Sequence, residues 1–276
     1  MTAFLKMHGL GNDFAVFDAR SHPLAFAPEA ARAIADRRFG VGCDQLIVIE
    51  KSANGTDAFM RIRNADGGEV EACGNAARCV ARLLMDERGT QSVRIDTIGG
   101  ALVCDDAGAG SVTVDMGEPK FGWQDIPLSE PKTAERFMLT IDGASYDVTA
   151  LSTGNPHCVL FVEDAEKASV AALGSRIEHH PLFPARTNVE FVSLVGPDRL
   201  RMRVWERGAG ITSACGTGAC ATAVAAHLRG FTGRNVEVLL DGGPLHIHWR
   251  ESDNHMLMTG PTTLSFKGEI DLKAFA

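Results

Sequence analysis

Two cysteines stand where a thiol can do work. Cys73 opens Cys-Gly-Asn-Ala-Ala-Arg-Cys and Cys215 opens Cys-Gly-Thr-Gly-Ala-Cys-Ala, each after a strand-like run and a Gly-rich turn. The segment after Cys73, Ala76–Met85, is apolar nearly all round, which predicts a buried helix. The first N–H groups of a helix lack intrahelical partners, and the helix dipole favours negative charge there. A cysteine at that point can hold a lowered pKa and act as thiolate. Gly74 and Asn75 let a carboxylate approach the same free donors.

Two thiols on opposite sides of one ligand suit a particular reaction. One, as thiolate, removes a proton from carbon; the other, as thiol, returns a proton to the opposite face, and the carbon is inverted. A thiol pKa of about 8.5 lies far below that of a carbon acid beside a carboxylate. The site must therefore stabilise an enolate-like intermediate, work suited to helix N-termini. One Cys⁻ and one Cys–SH also need neighbours that tune them. His157, after Asn155-Pro156, and Glu206, before the second Gly-rich turn, are the best placed in the sequence. A single Cys-Gly before a buried helix is more often a packed small residue. Two at equivalent places in a repeat favour function. No local pair has metal-ligand spacing, so no metal site is read. Cys79 and Cys220 fall inside the helices and read as core.

The elements that position these groups come twice. Gly11-Asn12 recurs as Gly154-Asn155, a shift of 143 (155 − 12), and Gly99-Gly100 recurs as Gly242-Gly243 at the same shift (242 − 99). Gly117 and Gly260 also stand 143 apart (260 − 117), and the two Cys-Gly pairs 142 apart (215 − 73). The repeat predicts a duplicated fold, with halves facing across a pseudo-twofold axis. Strands are expected at Thr2–His8, Asp13–Ala19, Leu46–Glu50, Ala58–Arg63, Ser92–Thr97, Ala101–Asp105 and Ser111–Met116, and a helix at Pro28–Arg38. Many short strands, few helices and no regular βαβ alternation give the α+β class. The expected lobes are 1–117 and 118–261, with 262–276 crossing back to the first; 120–136 reads as a polar, Pro-containing passage.

At 276 residues there is room for two cores. The balance of 27 basic and 35 acidic residues leaves −8, which argues against nucleic acid or an anionic membrane as partner. No run approaches the roughly 18 apolar residues of a spanning helix, and no signal peptide is read at Met1–Gly9. Seven cysteines, an odd number and without a Cys-x-x-Cys pair, read as thiols in a cytosolic protein.

Taken together, Met7-His8-Gly9-Leu10-Gly11-Asn12-Asp13-Phe14, Gly42-Cys43-Asp44-Gln45, Asn64-Ala65-Asp66-Gly67, Cys73-Gly74-Asn75, Thr153-Gly154-Asn155-Pro156-His157, Asn188-Val189-Glu190-Phe191, Trp205-Glu206-Arg207-Gly208 and Ala214-Cys215-Gly216-Thr217-Gly218 resemble the diaminopimelate epimerases over essentially the whole chain. The resemblance implies two lobes of mixed, mainly antiparallel sheet, each wrapped on a central helix. It implies a cofactor-independent interconversion of LL- and meso-diaminopimelate, a step in lysine and peptidoglycan precursor synthesis. Cys73 and Cys215 would be the acid/base pair, modulated by His157 and Glu206. Asn12, Gln45, Asn64, Asn155, Asn188 and Arg207 would hold the substrate, although each asparagine alone reads better as a turn or cap residue. Gly74-Asn75 and Gly216-Thr217 would offer backbone N–H groups to the reacting carboxylate. A homodimer is implied, with Phe266 at the interface.

Two positions depart from the family pattern: Ala76 stands where glycine is usual, and Gly68 where serine is usual. Ala favours a helix start, so unchanged chemistry is expected. Two other functions fit the bare residues, a cofactor-free racemase of another amino acid such as histidine and a binding protein that captures an amino acid without reacting. A holder shaped for a second amino-acid end argues against the first. Solvent deuterium entering the α-carbon would exclude the second.

Overall fold

A computed structural model describes residues 1–275, and they divide into two compact units, 1–114 with 259–275 and 115–258. The first begins with β1 (Thr2–Gly9) and β2 (Asn12–Asp18), an antiparallel pair, then α1 (Pro28–Ala35) and β3 (Gln45–Glu50). β3 runs parallel to β2 with Phe14 opposite Gln45, and antiparallel to β4 (Ala58–Asn64) with Gln45 opposite Asn64. After β5 (Glu69–Val70) come α2 (Gly74–Arg88), β6 (Ser92–Thr97), β7 (Gly100–Gly108) and β8 (Ser111–Asp115).

The second unit repeats the order with one strand moved. It opens on β9 (Phe137–Ile141), antiparallel to β10 (Ala144–Ser152), which pairs with β11 (Pro156–Phe161). Then come α3 (Val170–Glu178), β12 (Asn188–Gly196), β13 (Arg199–Glu206), β14 (Gly210–Ile211), α4 (Gly216–Leu228), β15 (Asn235–Leu240), β16 (Gly243–Trp249) and β17 (Met256–Pro261). β12 runs parallel to β11 with His157 opposite Asn188, the counterpart of Phe14 opposite Gln45 at the same 143-residue shift (157 − 14). The last strand, β18 (Thr263–Ile270), pairs antiparallel with β1 as β9 does with β10. The duplication is thus circularly offset: one unit receives its edge strand from before its first hairpin, the other from the end of the chain.

Each sheet carries two helical partners. α1 seals a core of Phe4, Phe17, Phe26, Ile34, Leu46 and Ile270. α3 helps to close a core of Leu139, Val148, Leu160, Ile177, Val189 and Phe191. α2 packs against β1, β6 and β7, and α4 against β10 to β13, β15 and β16. α4 is almost wholly small and apolar and is buried from Gly216 through Ala226 except at Thr217, as a helix enclosed by sheet must be. α2 likewise buries Gly74 through Ala81, including Arg78.

Two expectations need correcting. The first helix ends at Ala35 rather than near Arg38, because Oδ1 of Asp36 accepts from the N–H groups of Arg38 and Phe39 and turns the chain out of the helix. The passage 120–136 is not a polar connector: Ile126, Leu128 and Ala134 are buried in the second core, with Phe121 and Trp123 against it. Among the described residues no helix is long and apolar enough to cross a membrane.

Candidate active site

Each cysteine is the residue that precedes its helix. Cys73 is extended (φ −147, ψ 111) before Gly74, and Cys215 is extended (φ −110, ψ 106) before Gly216. Their side chains thus sit at the positive end of a helix dipole. The two differ in enclosure: Cys215 is buried, Cys73 partly exposed.

Around Cys73 the first unit gathers amides. Asn12 leads β2, and its Oδ1 lies 3.9 Å from Cys73 Sγ and accepts from Asn75 Nδ2 at 3.2 Å. Nδ2 of Asn12 donates to Asp44 at 3.1 Å. The Gln45–Asn64 cross-strand pair brings their side chains together, with Nε2 of Gln45 donating to Asn64 Oδ1 at 3.0 Å. Asn12, Asn75 and Cys73 therefore form one cluster, and Gln45 and Asn64 a second within the same unit. Ala76 lies in the first turn of α2, buried and helical, so the departure there requires no left-handed backbone. Gly68 likewise has ordinary φ; the left-handed residue in that turn is Gly67.

Around Cys215 the second unit builds a longer chain of contacts. The Gly218 N–H donates to Cys215 Sγ at 3.4 Å, and Thr217 Oγ1 lies 3.5 Å from the same sulfur. Asn155 Nδ2 donates to Thr217 Oγ1 at 3.4 Å, and Asn155 Oδ1 lies 2.9 Å from His157 Nε2. His157 Nδ1 is 2.7 Å from Glu190 Oε1, both side chains fully buried. Hydrogen bonds thus lead from His157 to Cys215 through Asn155 and Thr217. Glu206 ends β13 and accepts a hydrogen bond from Thr212. Asn188 spans the turn after it, accepting from the Arg207 N–H at 2.9 Å and donating to the Pro156 carbonyl at 2.9 Å. The Arg207 side chain is exposed and touches the Ala185 carbonyl at 3.3 Å.

Charge follows enclosure. Burial pushes the Cys215 thiol well above the usual range, and the neighbouring Glu206 carboxylate pushes it further; the Thr217 and Gly218 donors oppose them. Glu206 is itself raised, first by burial, with hydrogen bonds from Thr212 and Cys215 acting the other way. Cys215 is therefore held as a thiol at neutral pH, able to give a proton. Burial likewise raises Glu190, against the pull of His157.

The sequence profile of the diaminopimelate epimerases matches residues 4–122 and 149–265. The chain belongs to the diaminopimelate epimerase family. Among similar family members, the diaminopimelate epimerase of Acidiphilium cryptum (strain JF-5) is 52% identical over 273 residues, covering 99% of this chain and 98% of its own. That of Rhodospirillum centenum (strain ATCC 51521 / SW) is 53% identical over 268 residues, covering 97% and 91%. In fold, the chain is similar to a probable proline racemase from Agrobacterium radiobacter K84, with a TM-score of 0.69, 16% identity and coverage of 99% and 93%. A hydroxyproline epimerase from Agrobacterium vitis, with bound trans-4-hydroxy-L-proline, gives 0.68, 16%, 97% and 91%. At such identities these structures speak for the α+β duplicated fold alone.

Two members of the diaminopimelate epimerase site region escaped the sequence reading. Glu190 lies within Asn188-Val189-Glu190-Phe191, quoted for its resemblance and not for its charge. The available signal was a carboxylate in an otherwise apolar strand, which requires a partner when buried. Thr212 had no signal beyond its place in the Gly-rich turn.

Proposed function

We propose that this chain interconverts LL- and meso-diaminopimelate by two-base proton transfer at the α-carbon, with Cys73 and Cys215 as the acid/base pair. The observation that carries this reading is that both cysteines occupy the same place, the residue before a buried helix, in two units of one repeated topology within a chain of this family. Substrate closing against both helix starts would meet a thiolate on one face and a thiol on the other. The N–H groups of Gly74-Asn75 and Gly216-Thr217 would take the reacting carboxylate, whose negative charge grows as the α-proton leaves. Asn12, Gln45, Asn64, Asn155, Asn188 and Arg207 would hold the two amino-acid ends of the molecule. The Arg207 fork suits the distal carboxylate. Glu206, hydrogen-bonded to the Cys215 thiol, and His157, two links away, would set the protonation of that side. The reaction draws on side chains and backbone and asks for no cofactor.

A homodimer fits the half-exposed Phe266 on β18, whose ring meets that of Phe4 edge-on at 6.1 Å and leaves a face for a second copy. A cytosolic location fits a chain of seven cysteines, an odd number without a Cys-x-x-Cys pair.

Proton NMR of LL-diaminopimelate with the reduced protein in D₂O, without added cofactor, tests the reading. Loss of one α-proton signal as the meso isomer grows is expected, and Cys73→Ala and Cys215→Ala should each abolish turnover. Absence of exchange by the reduced enzyme would refute the substrate, and full activity in either single variant would refute the two-base scheme.

A further inference from the structure

Glu190 is fully buried in β12 between the core residues Val189 and Phe191. It touches His157, not Cys215, yet the contacts leading from it have a direction. His157 Nε2 lies 2.9 Å from Oδ1 of Asn155. A carboxamide oxygen only accepts, so Nε2 carries a proton. The Asn155 amide is thereby turned with Nδ2 toward Thr217 Oγ1, to which it donates at 3.4 Å. Thr153 Oγ1 shares its one proton between Asn155 Oδ1 at 3.3 Å and the Thr217 carbonyl at 3.5 Å, and the nearer contact fits the same orientation. A hydroxyl oxygen that accepts from Asn155 has its own proton left to give, and Cys215 Sγ lies 3.5 Å away. Each link points from Glu190 toward the sulfur.

With Nε2 protonated, one further proton lies between Nδ1 of His157 and Oε1 of Glu190, 2.7 Å apart. Both side chains are fully enclosed, and a neutral pair avoids burying two charges, which favours that proton on oxygen. The pair is then a neutral imidazole receiving from a neutral carboxylic acid, so it orients without adding charge beside the thiol.

We propose that Glu190 is a positioning residue for the epimerisation: as a protonated acid acting through His157, Asn155 and Thr217, it turns the Thr217 hydroxyl proton onto Cys215 Sγ. The proposal rests on the assignment of Cys215 as one of the two acid/base groups. It gives that sulfur a second donor beside the Gly218 N–H, and so favours the thiolate formed when Cys215 has given up its proton. The titratable groups around Cys215 are Glu206 at the end of β13, Glu190 on β12 and His157 on β11; with the Glu190–His157 pair neutral, Glu206 is the carboxylate whose charge acts on the thiol.

The test is the pH dependence of Cys215 alkylation by iodoacetamide in the full chain, with the adduct localised by mass spectrometry. Glu190→Leu removes the donor to Nδ1 and is expected to move the alkylation midpoint up by about one pH unit, of the size of one lost hydrogen bond to a charged group. Glu190→Gln, whose amide can still donate to Nδ1, should leave the midpoint in place and restore kcat lost in Glu190→Leu. Thr217→Val, which deletes the last link, should raise the midpoint as Glu190→Leu does. An ionised Glu190 predicts the reverse, because removing a negative neighbour lowers the midpoint in both Glu190 variants. A fall in Glu190→Gln overturns the proposal even if Glu190→Leu does not fold, and so does an unmoved midpoint in Thr217→Val. Alkylation needs no substrate, so these outcomes are independent of whether diaminopimelate is the molecule turned over.

Discussion

Asp44 holds Asn12 by its amide: Oδ2 of Asp44 accepts from Asn12 Nδ2 at 3.1 Å, which leaves Asn12 Oδ1 toward Asn75 and Cys73. Asp44 is in turn gripped by Arg37 at 2.7 Å, and Arg37 also binds Asp13 at 2.7 Å, one residue along from Asn12. Asp44→Ala frees the Asn12 amide to rotate without emptying any core. It is expected to lower kcat/KM about tenfold, about 1.4 kcal/mol of transition-state stabilisation, with little change in thermal stability. Steady-state kinetics beside a melting curve checks this; a variant with wild-type kcat/KM would show that Asn12 needs no such support.

Glu206 raises the Cys215 pKa as a neighbouring carboxylate, second only to burial. Glu206→Gln removes that charge and should lower the Cys215 titration, so alkylation of this cysteine at pH 8 should become several-fold faster. Turnover should fall in the same variant, because a tuned acid becomes a mistuned one. Slower or unchanged alkylation would count against the electrostatic role.

Both cysteines, the repeat and most strands are legible in the sequence because each rests on local pattern: a Cys-Gly after a turn, a constant shift, alternating or apolar runs. Enclosure is not local. Cys215 and Cys73 read alike in sequence, yet only Cys215 is sealed, beside Glu190 of β12 and Glu206 of β13. Arg78 sits in what reads as an apolar helix and is fully buried there. Passage 120–136 misleads for the same reason: its prolines and charges dominate the pattern while a few apolar residues enter the core. His157 is legible in the sequence through its motif, but the Asn155 and Thr217 contacts that stand between it and the sulfur join the turn before β11 to the first turn of α4, far apart in the chain.

Glu178, at the end of α3, is a buried carboxylate that anchors the turn carrying Arg207. Its Oε2 accepts from Trp205 Nε1 at 2.7 Å and its Oε1 from the Gly208 N–H at 2.9 Å. Burial alone would raise its pKa, but these donors, with His179 and Arg186, hold it below the usual range. A depressed folded-state pKa gives stability that is present above the unfolded value, near 4.3, and is lost as pH falls through the folded value. Glu178→Gln should therefore destabilise the protein at pH 7 and differ less from wild type as the pH drops below about 4. Melting temperatures of the two proteins from pH 3 to 7 provide the test. A gap that stays constant across this range would exclude the linkage.

Gly67 and Gly89 both have left-handed backbones, with φ of +85 and +65, but only one is confined. A Cβ on Gly89, at the end of α2, meets nothing within 4 Å, whereas on Gly67 it would lie 2.2 Å from the Pro28 carbonyl oxygen at the start of α1. Gly89→Ala then carries only the conformational cost, about 1–2 kcal/mol. Gly67→Ala adds a backbone clash that no rotamer relieves, so α1 or the 64–68 turn must move. The melting temperature should fall further for Gly67→Ala than for Gly89→Ala. Because the displaced turn begins at Asn64, activity should fall in the first variant and hold in the second. Equal melting temperatures would mean that α1 yields without cost, and the close approach at Pro28 would then have no bearing on the site.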